Sequence, residues 1–64
     1  MNRNELLAER ANKLSKEKKK ALRYLLPPNF PYIPANFLII GDSDNDYNLL
    51  LQQVEYLESL PVSK

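Results

Sequence analysis

The sequence predicts an all-α fold, an antiparallel helical hairpin whose arms are joined by a proline-rich packed connector. Three observations carry that expectation. Residues 3–26 contain neither Gly nor Pro and repeat apolar side chains at helical spacing; residues 44–60 do the same; four of the five prolines fall between them. With no internal repeat and no low-complexity tract beyond a lysine run, residues 1–64 read as one small domain.

The first helix opens on Asn2, with Glu5 three residues later as its capping-box partner. Uninterrupted to Leu26, it would hold about 24 residues and measure roughly 36 Å. Leu7, Ala11, Leu14, Ala21 and Leu25 recur at alternating spacings of four and three, and Leu22 widens the stripe. Lys18 alone breaks the seam. It reads as a stem that packs while its ammonium reaches water near a helix end, or as a seam residue paired with Glu55 or Glu58. The first reading is preferred. Pro27 and Pro28 stop the helix, because the residue before a proline is pushed out of the α region and neither proline donates a backbone hydrogen bond.

Residues 27–43 form the connector. Its prolines favour an extended path, and Phe30, Tyr32, Ile33 and Phe37 indicate that it lies against protein. Residues 34–40 are expected as a short helix, with Pro34 at its first position and Gly41 as its left-handed cap. The apolar run Phe37-Leu38-Ile39-Ile40 also suits a strand, but a lone strand would need a partner across a dimer axis, so the helix is preferred.

Ser43 caps the second helix and Pro61 ends it. Tyr47, Leu50, Leu51, Val54 and Leu57 share one face; Leu49, Tyr56 and Leu60 form a second stripe about 125° away. A hairpin alone does not bury both faces. A chain this short also has a thin stability margin and no disulfide to widen it. Dimerisation into a four-helix arrangement is therefore expected, with Leu49, Tyr56, Leu60, Tyr32 and Phe37 as partner-binding residues.

The chemistry available is narrow. With no His and no Cys, zinc sites, thiolate nucleophiles and His-based triads are excluded. A pocket of about 300 Å³ or more needs walls on several sides, which few residues remain to build. The expectation is no enzyme, no cofactor and no small-molecule substrate.

One string carries a sharper signal. Phe37-Leu38-Ile39-Ile40-Gly41-Asp42-Ser43-Asp44-Asn45-Asp46 resembles the fourth motif of haloacid-dehalogenase-type phosphatases, where an apolar strand enters a Gly-Asp-x-x-Asn-Asp turn that holds Mg²⁺. The resemblance covers about fourteen residues and implies Asp42 and Asp46 as metal-binding carboxylates, the chain's weak metal candidates. It also implies an aspartate nucleophile upstream and a parallel sheet. No Asp precedes residue 42. A calcium loop fits no better, since Tyr47 stands where the sharp turn needs Gly and Gln53 where a closing Glu belongs. The preferred reading is capping, in which Ser43 and Asp46 pair and the acids favour the positive end of a helix.

Charge supplies the second signal. Residues 1–26 carry net +5 and residues 27–64 net −4, so the total of +1 hides a polarised chain. On one continuous helix Lys13, Lys16, Lys20 and Arg23 lie within about 80° of one another, opposite the apolar stripe. As an alternative function they track nucleic-acid phosphates; the preferred reading is a solvated face.

No leader-like apolar run stands near the N-terminus and no segment is long enough to span a bilayer, so a cytoplasmic location is expected. The leading functional expectation is a small intracellular protein–protein interaction module, a regulator or inhibitor acting by surface occupancy.

Overall fold

The computed structural model describes residues 2–61. Three helices and one two-stranded hairpin follow in the order α1 (Arg3–Asn12), α2 (Lys16–Leu25), β1 (Tyr32–Ile33), β2 (Leu38–Ile39) and α3 (Asp44–Ser59). The fold is mostly helical, as the periodicity requires, with a small sheet added.

The expected helix over 3–26 is two helices. α1 begins on the capping box, with the Glu5 N–H donating to Asn2 Oδ1 at 2.9 Å and the Asn2 N–H to Glu5 Oε1 at 3.0 Å. It ends after Asn12, whose side-chain amide donates to the Ala8 and Asn36 carbonyls and so ties the last turn to the hairpin. Ser15 then caps α2, its hydroxyl accepting from the Lys18 N–H at 3.2 Å. No Gly or Pro marks the break. Its physical cause is competition: Asn and Ser side chains offer the backbone partners that a continuing helix would otherwise provide.

The break reverses the chain. α1 and α3 run the same way, because Arg3 pairs with Asp44 at their N-terminal ends and Arg10 with Glu58 at their C-terminal ends. α2 runs back against α3, its first turn lying beside Leu57 and Leu60. Both α1 and α2 pack on α3, and β2 packs on α1.

The expected helix over 34–40 is instead the turn and second strand of a hairpin. β1 and β2 are antiparallel, with Tyr32 opposite Ile39 and Ile33 opposite Leu38. The Ile33 carbonyl accepts from the Asn36 N–H at 3.2 Å and the Phe37 N–H at 2.8 Å, closing a loop in which Pro34 holds the second turn position. Phe37 sits at φ 61, a left-handed conformation costing about 1–2 kcal/mol in a non-glycine residue. Full burial of its ring offsets that cost. Gly41 has φ +96 and re-aims the chain toward Ser43, so its role is to leave a strand, not to close a helix. Pro31 and Pro34 flank β1, and neither can donate to an added strand.

One apolar cluster holds these elements together. Leu7 and Ala11 of α1, Leu22 and Leu26, Phe30, Phe37 and Ile39, and Leu50, Val54 and Leu57 of α3 are all buried in it. No polar or charged residue is buried among those described. Phe30, Tyr32 and Phe37 lie ring on ring, at 5.4 and 6.0 Å, with the Arg23 guanidinium 4.9 Å above Phe37. The connector is thus packed against protein, as its aromatic content indicates. α2 ends at Leu25, and Leu26 adopts the extended ψ of 144 that precedes a proline. Ser43 caps α3, which the sequence places to within a residue at either end.

Candidate interaction surface

The apolar residues expected at a partner surface divide into two groups. Phe37 is fully buried and Tyr32 is half-buried in the aromatic stack, so the hairpin uses both for its own core. For Phe37 that corrects the expectation of a partner-facing side chain, because the αL turn points it inward under Arg23; Tyr32 keeps part of its surface open. Leu49 is half-buried against the same core. Tyr56 and Leu60 stay outside it, 54% and 37% exposed.

The helical phase of α3 explains this division. At about 100° per residue, Leu50, Val54 and Leu57 point to the core, Tyr47, Leu51 and Glu58 turn toward α1, and Leu49, Tyr56 and Leu60 turn the other way, within about 40° of each other. On that flank α2 contributes Ala21 and Leu25, the latter 42% exposed. Ala21, Leu57 and Leu60 line a cleft of about 210 Å³, with Ser15, Glu17 and Lys18 at its rim. Leu25 belongs to this surface although sequence reasoning assigned it to the core; only the break after Asn12 decides which way α2 turns it.

Lys18 is the polar feature of the cleft. Its ammonium donates to the Leu60 carbonyl at 2.9 Å, at the C-terminal end of α3. A cation there meets the negative end of the helix dipole and satisfies a carbonyl the helix leaves without a partner. The stem packs and the charge finds a helix end, but the end is that of the neighbouring helix. Glu58 is engaged elsewhere, accepting from Arg10 through both oxygens at 2.6 and 3.3 Å. That hydrogen bond is the main reason the pKa of Arg10 is raised; desolvation opposes it and attraction to Glu58 and Glu55 adds to it.

A second, larger cleft of about 290 Å³ lies between α1 and β2, floored by Ala8 and Leu38 and edged by Glu5, Glu9, Asn12 and Asn36. Beside it, Ile33 lies opposite Leu38 on the same face of the sheet and Ile40 follows two residues on, 39% and 59% exposed for the two isoleucines.

The acidic turn is spent on capping and pairing. Ser43 Oγ accepts from the Asp46 N–H at 3.4 Å, Asp44 pairs with Arg3, and Arg3 also lies 4.5 Å over the Tyr47 ring. Asp42 is exposed and Asp46 half-buried. Among the described residues no three His, Cys, Asp or Glu side chains gather as a metal site. The strand–turn–helix order of the phosphatase-like motif is present locally, but the sheet is a two-stranded antiparallel hairpin, not the parallel sheet the resemblance implies.

The basic row is also rearranged. Lys13 lies in the turn after α1, and Arg23 leans over Phe37 and reaches the Pro34 carbonyl at 3.4 Å. The four residues therefore do not form one continuous helical face. Lys16 and Lys20 remain on the solvent side of α2, joined there by Tyr24, which is 81% exposed. Among the described residues both ion pairs belong to arginines of α1, so no lysine of α2 is paired with a carboxylate.

No described helix is long and apolar enough to cross a membrane. The chain matches no family model, no curated protein and no solved structure.

Proposed function

We propose that this chain is a small intracellular interaction module, regulatory or inhibitory by surface occupancy, and that it pairs with a second copy through the outer flank of α2 and α3. It works without a cofactor or a catalytic step. The observation that supports this reading is the exposed set Leu25, Tyr56 and Leu60 beside the half-buried Leu49, which the hairpin does not cover because it is spent on the opposite side of the core. Tyr and Leu side chains half open to solvent beside a cleft are the kind of anchors that interfaces use. Two such flanks brought together give the four-helix contact of α2 and α3 with their copies.

Sedimentation equilibrium tests the proposal. The wild-type chain is expected to form a dimer in the micromolar range, and the double variant Tyr56→Glu, Leu60→Glu to sediment as a monomer with unchanged far-ultraviolet circular dichroism. A wild-type chain that stays monomeric at several hundred micromolar, or a double variant that dimerises equally well, overturns it.

A further inference from the structure

We propose that the solvent face of α2 binds single-stranded nucleic acid, with Lys16 and Lys20 on phosphates and Tyr24 stacking against a base. The face is separate from the flank that carries Leu25, so this proposal goes beyond the self-association described above and stands or falls independently of it. Lys16, Lys20 and Tyr24 follow at intervals of four on one helix, which places them within about 80° of each other and spreads them over about 12 Å.

Three features select an anionic polymer with exposed rings. First, positive charge is in excess on this helix. α2 carries Lys16, Lys18, Lys19, Lys20 and Arg23 against the single acid Glu17, and the carboxylates that do form ion pairs, Asp44 and Glu58, pair with α1. Second, Tyr24 is the most exposed large apolar side chain described, at 81%, while Phe30, Tyr32 and Phe37 are drawn into the core cluster. A tyrosine one turn from a lysine on an open helix face offers a stacking platform beside a phosphate contact. Third, the Arg23 guanidinium is occupied by the Phe37 ring and the Pro34 carbonyl, so the charges beside Tyr24 are compact lysine ammoniums rather than an arginine fork poised on base edges. The combination favours sequence-tolerant binding to an unpaired strand over readout of a duplex.

Fluorescence anisotropy with a labelled oligothymidylate of about twelve nucleotides tests this, the length being chosen to exceed one short helix face. Saturable binding is expected that weakens with salt at a logarithmic slope of about −1.4, for two phosphate contacts at about 0.7 each. Lys16→Gln with Lys20→Gln is expected to flatten the slope to about zero, since both phosphate contacts are removed. Tyr24→Ala is expected to weaken binding about tenfold without changing the slope, since it removes stacking and no charge. Ile40→Ala, on the exposed side of the hairpin, is expected to leave binding unchanged. Each substitution falls on an exposed side chain, and circular dichroism verifies that the helices persist. Absence of saturable binding at low salt overturns the proposal. So does equal affinity for a blunt duplex or for polyglutamate with Tyr24→Ala without effect, outcomes that assign the face to duplex phosphates or to an acidic protein.

Discussion

α1 and α2 pack on the same helix, yet their seams differ in kind. Along α1 the contact is closed: Leu7, Ala8 and Ala11 are buried, and two ion pairs bridge to α3 from Arg3 and Arg10. Along α2 it is open on one flank, where Ala21 and Leu25 are part-exposed, Lys18 donates a side-chain hydrogen bond to the α3 end, and a cleft remains. Small residues allow close approach, and a guanidinium held by both carboxylate oxygens keeps its geometry. The comparison teaches that α1 is the structural partner of α3, whereas α2 offers its remaining surfaces outward.

Substitutions on the two sides sharpen that contrast. The largest effect is expected at the element both sides share. Phe37→Ala removes a fully buried ring and is expected to cost about 3–5 kcal/mol, enough to leave so short a chain largely unfolded by circular dichroism at 25 °C. Next comes the direct comparison of seams. Leu7→Ala on the closed side is expected to cost about 2–4 kcal/mol in urea denaturation, and Leu25→Ala on the open side less than about 1 kcal/mol. Equal losses would show that the α2 flank is as closed as the α1 flank.

Ser15→Ala takes away the cap that starts α2 and is expected to cost about 1 kcal/mol. A stabilising effect would mean that one long helix competes with the broken one. The smallest effect belongs to the Arg10–Glu58 pair. Its side chains are 43% and 37% exposed, so a double-mutant cycle through Arg10→Ala and Glu58→Ala is expected to return about 0.5 kcal/mol of coupling, smaller at high salt.

Much of this was legible from residue order. The Asn2 capping box, the stop at Pro27, the Ser43 cap and the span of α3 rest on interactions within four residues, which a sequence displays directly. The break after Asn12 was not legible, although the misplaced Lys18 was its trace: on a continuous helix a lysine interrupts the stripe, while on a reversed α2 it meets the end of α3. The hairpin was missed because a strand of two residues between prolines looks like extended connector, and its partner lies only across the Pro34 turn.

The same division runs through the candidate surfaces. Residue types excluded His- and Cys-based chemistry, and the second stripe on α3 announced that Tyr56 and Leu60 would be difficult to cover. Residue types also showed a lysine-rich first half. Where each group points is a long-range matter. Phe37 and Tyr32 went inward because the αL turn stacks them under Arg23, and that same stacking took Arg23 out of the basic row. Helix caps and periodicity are settled by neighbours along the chain, so the sequence determined them alone. The reversal at residues 13–15 and the division of apolar residues between core and surface depend on groups brought together from 11 to 48 positions apart, and only the tertiary structure decided them; the pairing of β1 with β2, between residues five and seven positions apart, is closed by the Pro34 turn and held by the packing of β2 on α1.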